Sequence, residues 1–173
     1  MPTDDVARDA LPPEQVRRRP PQPGDGWVEC VCGRRHWGLH GAAGLLIARP
    51  AHGDSTDVVL QHRATWSDEG GTWGVPGGAR APHETALDAA LREAREEAGI
   101  EPGLVRVTGE HVLDHGPWSY TTVLARVTAP FEPRVTDPES LEVRWVPVDE
   151  VATLPLLGAF AHAWPSLRAR LGT

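Results

Sequence analysis

The amino-acid sequence predicts an α/β fold, a mixed β-sheet with helices on its faces. Short runs rich in Val, Leu and Thr recur along the chain, split by Gly, Pro and Asp. One amphipathic helix stands among them and a second closes the chain. A length of 173 residues makes room for one ordinary domain, large enough to fold without a disulfide or metal staple.

Residues 1–26 read as a tail. Pro12, Pro13, Pro20, Pro21, Pro23 and the run Arg17-Arg18-Arg19 leave little apolar material to bury. Removing residues 1–24 is expected to leave folding and turnover within about twofold. The folded domain is expected over 27–173. Gly41–Ala48 and Asp57–His62 are the first strands, separated by the turn-rich Pro50–Ser55. Leu104–His111, Ser119–Val127 and Leu141–Val148 are the later ones. The central helix is expected from Glu84 to Ala98, between Pro82 and Gly99. A helical turn near Asp149–Ala152 and a last helix over Ala159–Leu171 complete the chain.

Composition narrows the function. A net charge of −7 argues against a grip on nucleic-acid polymers. No apolar run approaches the roughly 18 residues that a membrane-spanning helix needs. The first residues lack the basic-then-apolar order of a signal peptide, so the expected address is the cytoplasm. The oligomeric state is open, a homodimer included.

On a helical wheel Leu87, Ala90, Leu91, Ala94 and Ala98 share one stripe, expected to pack on the sheet. Glu93, Glu96 and Glu97 gather on a neighbouring stripe near the helix C-terminus. There they repel one another and face the negative pole of the helix dipole. Residues 84–101 hold six acidic side chains against Arg92 and Arg95. Such crowding points to a bound cation, and hard oxygens suit Mg²⁺ or Mn²⁺. Just upstream, Gly77 and Gly78 permit close backbone approach to a ligand.

These residues carry a resemblance. Gly78, five residues, Glu84, seven residues, then Arg92-Glu93-Ala94-Arg95-Glu96-Glu97-Ala98-Gly99-Ile100 resembles the Nudix box, with Ala94 smaller than usual. The order of elements from about Gly41 to Leu171 is also similar to a Nudix fold. The resemblance implies an α/β/α sandwich with the Nudix loop-helix. It implies a Mg²⁺-dependent pyrophosphohydrolase acting on a nucleoside diphosphate linked to another moiety. That class covers nucleoside triphosphates, oxidised nucleotides, ADP-ribose and nucleotide sugars. By match to the box, Glu93, Glu96 and Glu97 would be metal ligands, with the Gly77 carbonyl in addition. Arg92 would orient a ligand glutamate, and Glu84 would brace the loop-helix. The alternative is a non-catalytic nucleotide-binding module, which the retained glutamates and Arg92 disfavour.

Outside the box the residues leave options open. Glu142 ranks ahead of Glu139 as general base or extra ligand. Trp73, Trp66, Trp118 or Tyr120 could stack on a base, and Arg63 could reach phosphate. Neither Pro117 nor Tyr120 stands at the offset that marks a family subtype. Cys30 and Cys32, with His36 and His40, offer two thiolates and two imidazoles. Their spacing is tighter than the usual zinc pattern, so a reduced pair in a turn is expected ahead of zinc.

Overall fold

The computed structural model describes residues 19–171. Among them the chain forms β1 (Trp27–Glu29), β2 (Arg35–Trp37), β3 (Ala42–Pro50), β4 (Thr56–Arg63), β5 (Trp73–Gly74) and β6 (Gly77–Ala79). Then come α1 (Ala86–Ala98), β7 (Val105–Asp114), β8 (Ser119–Val127), β9 (Ser140–Pro147) and α2 (Gly158–Leu171).

β3 organises the sheet. Its run AAGLLIA is buried throughout, as a strand covered on both faces requires. β8 lies parallel along one side, from Ala42 opposite Tyr120 to Ala48 opposite Arg126. On the other side β3 pairs antiparallel with β6 at its start and with β4 at its end. β9 and β5 pair with β4, and β7 with β8, giving a seven-stranded mixed sheet.

Strand alternation then sorts the two faces. Ala43, Leu45, Ile47, Val59, Val123, Ala125 and Val143 point to one, where α1 packs through Ala89, Ala90, Ala94 and Ala98. Leu46, Val58, Leu60, Leu124 and Val146 point to the other, where α2 packs through Phe160, Trp164 and Leu167. The expected α/β/α sandwich is the fold observed. Among the described residues no helix is long and apolar enough to cross a membrane.

Three expectations are corrected. α1 begins at Ala86, not Glu84, because Thr85 and Asp88 form a reciprocal capping box and leave Glu84 outside the helix. Leu87 is exposed; the buried stripe is rolled to include Glu93 and Glu97. The roll is accommodated because both carboxylates find donors, as described below. The tail reading fails for residues 19–26. Gly24 is buried, and its carbonyl and that of Gly26 accept from Leu39 and Gly38 at 2.8 and 2.7 Å. Residues 1–18 lie outside the described residues.

Candidate active site

The loop-helix is built at close quarters. A Cβ on Gly78 would stand 2.7 Å from Glu93 Oε1, so a larger residue there would displace the Glu93 carboxylate. Gly77 donates its N–H to Glu97 Oε2 at 2.9 Å. Gly99, at φ 65°, caps the helix with its N–H directed to the carbonyls of Ala94 and Arg95.

Arg92 ties this element together. Its Nε and one terminal nitrogen donate to the two oxygens of Glu84 at 2.6 and 2.9 Å. The other terminal nitrogen donates to Glu93 Oε1 at 2.6 Å and Glu96 Oε2 at 3.3 Å. Glu84 also accepts from the Ala81 N–H at 2.9 Å. Arg92 foremost, with that N–H, holds the Glu84 carboxyl down at about 2.

The carboxylates beyond this clamp are starved of solvent. Glu97 is 2% exposed and Glu93 4%. Burial, then the charges of Glu93 and Asp137, push Glu97 well above the ordinary carboxylate range. Burial likewise raises Glu93, against the pull of Arg19 and Arg92. From the segment entering β9, Asp137 and Glu139 bring carboxylate oxygens that lie with one of Glu97 within 4.8 Å of one another. Burial raises both. Asp137 Oδ1 accepts from Glu139 N and Ser140 Oγ, whereas the buried Asp137 Oδ2 has no hydrogen-bond partner among the described residues. An orphaned buried oxygen within an all-oxygen donor set fits a hard divalent cation. Arg19 approaches the same cluster, pairing with Glu93 at 3.1 Å and Glu96 at 2.6 Å.

Two expected site residues are placed elsewhere. Glu142 is exposed and pairs with Arg144 at 3.0 Å. It alternates with Val143, so it points to the α2 face while Glu93 and Glu97 stand on the α1 side. Glu139, ranked second from sequence, and Asp137, missed altogether, join the cluster instead. Trp73 is buried, stacked on His62 at 4.7 Å with the Arg144 guanidinium 5.0 Å from its ring centre, so it offers no free platform.

Arg63, Gly78, Trp118 and Tyr120 converge on one cavity, which Trp66 does not line. This cavity of about 500 Å³ reaches the Gly77–Gly78 loop, whose other side meets Glu97 and Glu93, and is lined among others by Arg34, Arg63, Trp118 and Tyr120. Arg63 donates through two nitrogens to the Asp68 carbonyl at 3.2 and 3.0 Å, which fixes its guanidinium. Tyr120 is half-buried; burial and the Glu97 charge push its phenol above the ordinary value.

Comparison with known proteins places this arrangement in a family. The NUDIX domain model matches residues 38–167, and the chain belongs to the Nudix hydrolase family. It is 54% identical over 154 residues to a Bifidobacterium longum nucleoside triphosphate pyrophosphatase/Nudix hydrolase fusion protein, covering 87% of this chain and 32% of that one. The chain thus spans about a third of that relative. A Mycobacterium tuberculosis protein with the provisional name 8-oxo-dGTP diphosphatase 3 is 45% identical over 92% of this chain and 74% of its own. Among solved structures, the Nudix hydrolase RenU of M. smegmatis superposes with a TM-score of 0.78 at 47% identity, covering 86% of this chain and 95% of that one.

Proposed function

We propose that this chain hydrolyses a phosphoanhydride within a nucleoside triphosphate or another nucleoside diphosphate derivative, using Mg²⁺ or Mn²⁺. The supporting observation is the five-carboxylate cluster of Glu93, Glu96, Glu97, Asp137 and Glu139 beside a cavity that also holds fixed arginine. An anionic substrate meets that cluster only when cations neutralise it. Glu93, Glu96, Glu97, Asp137 and the Gly77 carbonyl would hold the metal, which supplies phosphate-charge neutralisation and an acidified water.

The chain's own groups do the rest. Arg92 aims the Glu93 and Glu96 carboxylates, and the Gly77 N–H fixes Glu97. Glu139, held beside Glu97 and Asp137, takes the proton of the attacking water. Arg63 and Arg34 face the phosphates, which favours in-line positioning. The names of the relatives favour a nucleoside triphosphate, an oxidised purine nucleotide first.

The experiment is a panel of nucleoside triphosphates, 8-oxo-dGTP, ADP-ribose and nucleotide sugars with Mg²⁺ or Mn²⁺, in isotopically labelled water. Label in a product phosphate from anhydride cleavage is expected. Undiminished turnover in excess EDTA, or no turnover of any compound, overturns the reading.

A further inference from the structure

We propose that Cys30, Cys32, His36 and His115 form a structural zinc site that clamps the N-terminal hairpin onto the sheet. The four residues come from two places far apart in sequence. Cys30 and Cys32 lie at the β1–β2 turn and His36 on β2, whereas His115 follows β7. One ligand atom from each lies within 4.8 Å of all the others. Cys32 Sγ stands 3.2 Å from His36 Nε2, and Cys30 Sγ 3.6 Å from His115 Nδ1. Zinc bonds of about 2.3 Å to sulfur and about 2.0–2.1 Å to nitrogen set a tetrahedral sulfur–nitrogen edge of about 3.6 Å. The observed separations already approach that edge, and two thiolates with two imidazoles match a tetrahedral ion of borderline softness.

The surroundings orient these ligands. The Cys32 N–H points at Cys30 Sγ at 3.5 Å, a donor that favours thiolate. His36 lies flat on Trp118, ring centres 4.2 Å apart and planes at 15°. Trp118 in turn donates its indole N–H to the Trp37 carbonyl at 3.0 Å and accepts at its own backbone carbonyl from the backbone N–H of His115 at 2.9 Å. His40, the fourth ligand expected from sequence, is exposed and outside the group. Sequence spacing could not reveal His115, because only the β7–β8 turn carries it there.

Such a clamp would reinforce a small hairpin. β1 and β2 share only three residue pairs, with Trp27 and Trp37 partly exposed. A two-stranded hairpin of this size is marginal by itself, and a metal bridging it to another element contributes directly to folding. Binding would release the thiol protons to solvent. Cys32, His36 and His115 also line the cavity described above, so the clamp would fix one of its walls. This proposal stands whether or not the substrate reading holds.

The test uses the full chain, produced with zinc, washed with EDTA and analysed for metal by mass spectrometry. About one zinc per chain is expected, falling at least tenfold in Cys32→Ser and in His115→Ala, and unchanged in His40→Ala and Glu97→Gln. Because the first two variants could fold poorly, wild-type protein stripped of metal is also titrated with Co²⁺. Thiolate-to-cobalt charge transfer and the intense visible bands of a tetrahedral ion are expected, with both cysteines protected from a thiol reagent. Wild type without retained zinc, with freely reactive thiols and no such bands, overturns the proposal. So does zinc that survives Cys32→Ser and disappears in Glu97→Gln.

Discussion

Arg92 grips Glu84 through two nitrogens, at 2.6 and 2.9 Å, although Glu84 lies outside the helix that carries Arg92. The pair fastens the glycine loop to α1 and leaves the third nitrogen for Glu93 and Glu96. Glu84→Gln is expected to cost about 1.5–3 kcal/mol, the range for a hydrogen bond to a charged partner. The carboxyl is lowered from 4.5 to about 2. Its contribution is therefore present above about pH 4.5 and lost as pH falls through about 2. Thermal melts of wild type and variant at pH 7 and pH 3 should show a gap that narrows in acid. An equal gap at both would overturn this account.

Glu97 carries the opposite sign. Its folded-state value is raised well above 4.5, so the metal-free folded chain keeps a proton that the unfolded chain releases. That stabilising contribution is whole below about pH 4.5 and disappears as pH rises through the raised value. Metal-free protein should thus melt lower as the pH climbs through this window, and Glu97→Gln should flatten the dependence. The same variant should lose Mg²⁺-induced stabilisation and about 10²–10⁴ in kcat. Near-normal turnover with the usual Mg²⁺ shift in Tm would remove Glu97 from the site.

Much of this was legible in the chain itself. The continuous apolar run of β3, the Gly99 stop of α1 and the crowding of Glu93, Glu96 and Glu97 are local signals, and local signals survive folding. What stayed hidden depends on chain reversal. Asp137 reads as a loop residue until β9 pairs with β4 and brings it to Glu97. β5 and β6, of two and three residues, are too short to show a period. The choice of Glu142 over Glu139 overlooked strand alternation: with Val143 turned to α1, Glu142 must face the other way.

That alternation is open to direct test. Glu142→Gln removes an exposed charge paired with Arg144 and should leave kcat within about twofold. Glu139→Gln removes the proposed proton acceptor, and a loss of about 10² or more is expected. Asp137→Asn should raise the Mg²⁺ concentration needed for half-maximal rate, since its orphaned oxygen would be its link to the proposed metal. Steady-state kinetics across Mg²⁺ concentrations compares all three. A large effect at Glu142 with none at Glu139 would reverse the assignment.

Arg19 supplies the final prediction. Its guanidinium, 20% exposed, lies between Glu93 and Glu96 at 3.1 and 2.6 Å, and against the lowering by burial the charges of Glu93 and Glu96 raise its pKa. One arginine offsets a single charge of the carboxylate cluster, and it stands where a divalent ion would draw on the same oxygens. Under the proposed reading metal and Arg19 would therefore compete. Arg19→Ala should lower the Tm of metal-free protein by a few degrees, consistent with losing about 1 kcal/mol from a partly buried pair. It should also lower the Mg²⁺ concentration for half-maximal activity by about 3–10-fold, because the ion no longer displaces a resident cation. Deleting residues 1–18 keeps Arg19 and should change neither quantity, whereas deleting residues 1–24 should reproduce the point variant's Mg²⁺ dependence. Substrate KM is the control. If Arg19→Ala raised KM and left the Mg²⁺ dependence untouched, the guanidinium would be gripping phosphate, and the competition argued here would be wrong.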